Sequence, residues 1–148
     1  MKRTPFHGVY AVLLVTWAVF AYNTLSVNSQ SAADTATIGS VRLTQAVLAD
    51  GKPLAAATYQ VRLTSGQPTA AVGQSAGAER WVEFVKDGKV AGREVATVVA
   101  APDIGAIAKG PQPAANGSRV DVLKGGDYLR AWINKAGTNY LVNMPLAR

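Results

Sequence analysis

From residue 38 onward the chain alternates apolar and polar residues in short bursts, each bounded by turn-forming residues. Tyr59, Val61 and Leu63 alternate with Gln60, Arg62 and Thr64, the pattern of a strand with one face on a core and the other in water. Val41, Leu43 and Ala46 to Leu48 predict a first short strand, ended by Asp50-Gly51-Lys52-Pro53. Residues 79–86 (ERWVEFVK) and the stretch from Lys89 (KVAGREVATVVA) flank Asp87-Gly88, a dipeptide suited to a two-residue hairpin turn. Residues 118–124 and 127–134 flank Gly125-Gly126 in the same way. Lys135-Ala136-Gly137-Thr138 then leads into a last strand, 139–144, which Pro145 ends. No helical period is evident after residue 27, so the expected body is mainly β: an antiparallel β-sandwich of about seven strands, or a small open barrel. Its expected core is Tyr59, Val61, Leu63, Val95, Val98, Val120, Val122, Leu129, Trp132, Ile133, Leu141 and Met144, joined by Trp81 or by its neighbours Val82 and Phe84. Strand 79–86 is apolar on both sides, which leaves its inward face open and hints that both faces are covered.

Before residue 28 the pattern is different. Lys2 and Arg3 precede an uncharged run from Gly8 to Tyr22, and weakly polar residues continue through Leu25 and Val27. The run alone makes a helix of about 22 Å, whereas residues 6–27 reach about 33 Å, enough for a hydrocarbon core of about 30 Å. Phe6 and Tyr10 sit near one end, Phe20 and Tyr22 near the other, and Trp17 lies between them, as interfacial aromatic residues do. Ser29-Gln30-Ser31-Ala32-Ala33 makes a poor cleavage site. A retained, single-pass transmembrane helix is therefore expected within residues 1–27, followed by a polar linker over 28–37 (NSQSAADTAT) and a β-domain over 38–148. After Lys2 and Arg3 no Lys or Arg appears until Arg42. That asymmetry places the N-terminus in the cytoplasm and the domain in the periplasm of a bacterial inner membrane.

Composition mainly removes chemistries. Among 148 residues there is no cysteine and one histidine, His7, which excludes disulfides, thiol nucleophiles and Cys/His zinc sites together. His7, beside Lys2 and Arg3, is expected to contact headgroups, since one histidine without a second ligand builds no metal site. No histidine in the exported domain is available as a base for Ser65 or Ser75, so a Ser-His triad is excluded. Glu79, Glu83, Asp121 and Asp127 lie near Arg80, Lys86, Lys124 and Arg130, and are expected as solvated cross-strand ion pairs. Gly125-Gly126 and the stretch from Gly105 to Gly110 open no helix carrying a Lys-Ser/Thr pair, so they are not phosphate loops. The net charge is +6, yet only 16% of residues are charged, below the roughly 25% of ordinary domains. Two of the positive charges are Lys2 and Arg3, and the rest are spread singly, which speaks against nucleic acid as a partner. No catalytic residue, cofactor or metal is expected.

Two connections stand out for length and lack of charge. Residues 65–78 (SGQPTAAVGQSAGA) carry none, and residues 101–117 (APDIGAIAKGPQPAANG) carry one Asp and one Lys around Ile104 and Ile107. Structureless loops of this length are usually functional or disordered, and uncharged surfaces are commonly buried against partners. Pro68, Val72, Ile104, Ile107, Pro111 and Pro113 are therefore candidate partner-docking residues.

The segments DGKPLAAATYQVRLT and GGDYLRAWINKAGTNYLVNM resemble the small transthyretin-like or immunoglobulin-like β-sandwich modules of secreted bacterial proteins. The resemblance covers most of residues 38–145. It implies a turn and a core strand in the first segment, and binding or spacing rather than catalysis. The expected function is thus a non-enzymatic, membrane-anchored accessory subunit bound to other subunits of an inner-membrane complex. Its layout is similar to that of the small polypeptides that hold a photosynthetic reaction centre inside its light-harvesting ring. An anchored ligand- or glycan-binding module is the alternative, with Trp81, Tyr128 or Trp132 as stacking residues.

Overall fold

The computed structural model of the chain describes residues 35–70, 72–75 and 77–148; the expected membrane segment, with Lys2, Arg3, Phe6, His7, Tyr10, Trp17, Phe20 and Tyr22, lies outside the described residues. Among the described residues no helix is long and apolar enough to cross a membrane.

Three dipeptides set the hairpins. Asp50-Gly51, Asp87-Gly88 and Ala136-Gly137 all have positive φ at both positions, the backbone of the tight turn whose twist matches that of its flanking strands. The elements in chain order are β1 (Thr37–Arg42), β2 (Val47–Ala49), β3 (Lys52–Leu54), β4 (Thr58–Leu63), β5 (Glu79–Lys86), β6 (Lys89–Val99), α1 (Ile104–Ile107), β7 (Ser118–Val122), β8 (Tyr128–Lys135) and β9 (Thr138–Pro145). Seven strands form one antiparallel sheet in the order β1-β4-β5-β6-β9-β8-β7, and β2 and β3 form a separate hairpin. The first expected strand is thus two: β1 ends at Arg42, and the chain turns before β2 begins at Val47. β1 also opens one residue early, at Thr37, the last residue of the expected linker.

The sheet curls until its edges meet. The Ser118 hydroxyl of β7 donates to the Ser40 carbonyl of β1. At Gly39 an added Cβ would stand 2.8 Å from Cγ2 of Ile133 in β8, so glycine is what lets β1 close on the far side of the sheet. The mainly β, antiparallel fold of the expectation is present. Its seven strands make one barrel-like sheet, with β6 as the shared element: residues 89–95 pair only with β5, and residues 96–99 pair with β9. Where β9 parts from β6, the β2–β3 hairpin fills the gap. Val47 bridges to Leu146, Leu54 packs over Gly92, and the Asp50 amide donates to the Glu94 carboxylate at 2.8 Å.

Val82 and Phe84 are the inward side chains of β5, both fully buried, and Phe84 meets the Tyr59 ring edge-on at 6.1 Å. Trp81 faces outward. The interior is completed by Val41, Val47, Leu54, Val61, Leu129, Ala131, Ile133, Val142 and Met144. Four expected core valines are not buried: Val95 and Val98 of β6 and Val120 of β7 are half-buried, and Val122 is exposed. Val95 stands opposite Trp81 on the outer face, Val98 and Val122 lie at or beside strand ends, and Val120 packs against the core from the edge strand. Places read as apolar by type alone are instead taken by small residues, Gly92 and Ala96 among them, where β2, β3 and β9 crowd the sheet.

The strand directions give the barrel two unlike ends. Thr37 enters at one end, where the β4–β5 connection, the β6–β7 connection and the β8–β9 turn also lie. At the other end lie the β2–β3 hairpin, Asp87-Gly88, the 123–127 turn and the C-terminal residues.

Candidate functional site

The two long connections, alike in sequence, behave differently. Residues 101–117 fold back as a strap over the outer face of β8 and β9. Ile104 and Ala108 are buried there with Val99, Trp132 and Leu141 in a second apolar cluster outside the barrel. Trp132 supplies the floor. Its indole N–H donates to Asn139 Oδ1 at 2.8 Å, and Gln112 of the strap donates to the same oxygen at 3.1 Å. The Asn134 side-chain amide donates to the Pro113 carbonyl at 2.9 Å, and the Asn134 backbone amide donates to Gly117. Arg119 of β7 donates to the Pro111 carbonyl at 2.7 Å, pairs with Asp121, and lies over the Trp132 ring. Asn134 and Asn139 are buried polar groups whose hydrogen bonds are thereby met.

Of the candidate docking residues in this strap, Ile104 is taken up by the fold, Pro113 is half-buried and held through its carbonyl, and Ile107 and Pro111 remain exposed. Removing residues 103–108 would strip Ile104 and Ala108 from the second cluster as well as any docking surface. It is therefore a test of folding as much as of binding.

The 65–78 connection is held more lightly: the Val98 amide donates to the Ala78 carbonyl at 2.8 Å, and the Gln74 side-chain amide donates to the Glu79 carboxylate at 3.3 Å. Val72 is fully exposed, Pro68 is half-buried, and none of its described residues joins either apolar cluster. Beneath it, Arg80 follows the inward parity of Val82 and Phe84. One of its terminal nitrogens is 3.3 Å from the Thr64 carbonyl, and its buried Nε has no partner.

The charged residues form surface ladders with partners other than those expected. Glu83 pairs with Arg62 at 2.7 Å, Arg93 with Asp50 at 2.9 Å, Asp121 with Arg119, and Asp127 with Arg148. Arg62, Glu83 and Arg93 sit opposite one another on β4, β5 and β6 and alternate in sign, an arrangement that supports strand pairing and leaves no isolated carboxylate pair. Among the described residues no group of three His, Cys, Asp or Glu is placed to hold a metal.

The three aromatic residues considered for stacking do not share a platform. Trp132 is buried under the strap, Trp81 lies under the Arg93 guanidinium at 4.5 Å, and Tyr128 is exposed on β8, three strands away from Trp81's β5. A shallow hollow of about 410 Å³ opens beside Ser40, Thr58, Gln60 and Lys86, and no aromatic residue lines it.

The strap left a signal in the sequence: Trp132 and Leu141 are large apolar residues at positions whose neighbours Ala131, Ile133 and Val142 already face inward. Strands apolar on both faces need cover on both. No family model, curated protein or solved structure matches the chain.

Proposed function

We propose that the chain is a non-enzymatic accessory subunit of a large bacterial inner-membrane complex, held at the bilayer by one helix within residues 1–27, with its N-terminus cytoplasmic and its β-domain periplasmic. The observation that carries this reading is the 65–78 connection: fourteen residues without a charge leave the barrel between β4 and β5, and Val72 stands fully in solvent. Charge is depleted at the cores of protein interfaces, and a segment of this kind gains from being covered. A membrane tether turns a modest contact into an intramolecular one, so a small docking surface suffices. The same reading takes the curled sheet as a β-sandwich module of the transthyretin-like or immunoglobulin-like kind, serving as a brace. For the host we put first a photosynthetic reaction centre within its light-harvesting ring, because small polypeptides of similar layout occur there. Extraction of the tagged full chain in mild detergent, with mass spectrometry of co-migrating chains, tests the proposal. Integral membrane subunits at a fixed ratio to the chain are expected, and a chain that migrates alone contradicts it.

A further inference from the structure

We infer that the docking surface is the end of the barrel at which Thr37 enters, and that its occupant is the extramembrane surface of an integral membrane protein. The inference rests on the anchored reading above. It starts from the two ends of the fold. The connections at the Thr37 end are residues 64–78, 100–117 and 136–137, and their only charges are Asp103 and Lys109. The connections at the other end are shorter in total, yet they carry Asp50, Lys52, Asp87, Lys124, Asp127 and Arg148.

Exposed apolar side chains occur at both ends, in different company. Val122 and Tyr128 adjoin Asp121 and Asp127, and Val90 adjoins Lys89, as on an ordinary solvated surface. Val72 and Ile107 at the Thr37 end have only Ala and Gly as immediate chain neighbours, and the nearest charge along the chain is Lys109, two residues beyond Ile107.

Covalent geometry then limits where this end can be. From Val27, the end of the expected membrane helix, to Thr37 there are ten Cα steps, which span at most about 36 Å when fully extended. The charge-poor end is thus the one leashed to the bilayer, within about 36 Å of it.

Lipid headgroups are a poor match for this surface. Binding at a membrane interface draws on clustered Lys and Arg and on aromatic residues. The three connections at the Thr37 end contain no aromatic residue, and Lys109 is their single basic one. A charge-poor surface of small and aliphatic residues fits another protein face of the same kind, and the leash raises the effective concentration of proteins in the same membrane above that of any other partner.

Photo-crosslinking in native membranes tests this, with p-benzoylphenylalanine placed in the full chain at Val72 or Ile107, and at Val90 or Tyr128. All four positions are exposed, so the substitutions spare the core. Adducts to one integral membrane protein are expected from Val72 and Ile107, mapping to its extramembrane loops, with none from Val90 and Tyr128. Adducts from the far end only, or capture of lipid alone at Val72 and Ile107, would overturn the inference. An alkaline carbonate wash separates its failure from that of the anchored reading. Chain released by the wash defeats both, whereas chain retained in the membrane with the wrong crosslink pattern defeats this inference alone.

Discussion

Replacing Trp132 by alanine is expected to cost the domain about 4 kcal/mol, the range found for emptying a buried aromatic site, and to lower its melting temperature by about 15 °C. The ring is 1% exposed and touches both layers, the β8–β9 surface below and Ile104 and Ala108 of the strap above. Its removal therefore opens a cavity under Ile104 and Ala108, while Arg119 and Asn134 still hold the strap at Pro111 and Pro113. Asn139 is not orphaned by the change, because Gln112 still donates to its Oδ1 at 3.1 Å. Most of the loss is thus packing, not hydrogen bonding. Trp132→Phe separates the two contributions: it keeps most of the apolar contact, gives up the indole N–H, and should cost about 1–2 kcal/mol. Urea unfolding followed by circular dichroism measures both. A loss below 1 kcal/mol for the alanine variant would mean that the strap does not lie on Trp132.

Gly39→Val should be nearly as damaging, at about 3 kcal/mol, for the opposite reason of overpacking. A Cβ at residue 39 meets Ile133 Cγ2 at 2.8 Å. That methyl sits on a β-branched, fully buried side chain with few rotamers to move into, so β1 must retreat and the contact between β1 and β7 opens. The prediction has an internal control. In the double variant Gly39→Val/Ile133→Ala, the space vacated at 133 receives the valine, so the combined loss should be clearly smaller than the sum of the single losses. Strict additivity would show that the two residues do not touch and that the barrel is not closed there.

How far the sequence foretold this structure depended on whether the cause was local. β4 and the two hairpins at Asp87-Gly88 and Ala136-Gly137 were legible because alternation and two positive-φ positions are properties of a few adjacent residues. The inward face of β5 was not, since Trp81 and Val85 alternate against Val82 and Phe84. A bulge between Phe84 and Val85 adds to the ambiguity, since Val85 is buried beside Phe84. The closure at Gly39 and the crowding at Gly92 were also invisible, because a glycine in a strand does not announce what approaches it. Val95, Val98, Val120 and Val122 illustrate the reverse. Their type suited a core, but burial was decided by where β9 parts from β6 and where the sheet ends.

The candidate docking surface divides along the same line. Length and lack of charge marked residues 65–78 and 101–117 equally. Only tertiary packing distinguishes a strap pinned by Trp132, Asn134 and Arg119 from a connection that leaves Val72 in solvent. The polarity of the barrel likewise follows from strand directions across the whole sheet. It gathers three charge-poor connections at the end where the chain enters, which no single segment reveals.

Light scattering on detergent-extracted particles reads the docking through Val72, with the full chain and its Val72→Asp variant compared side by side. An unpaired charge buried in a dry contact costs about 3 kcal/mol or more, while at an exposed loop position it leaves the fold untouched. The unsubstituted chain is expected to elute in a particle much heavier than one chain, and the variant to elute alone with an unchanged unfolding temperature. A variant that stays in the heavy particle at full ratio, or an unsubstituted chain that already elutes alone, would contradict it.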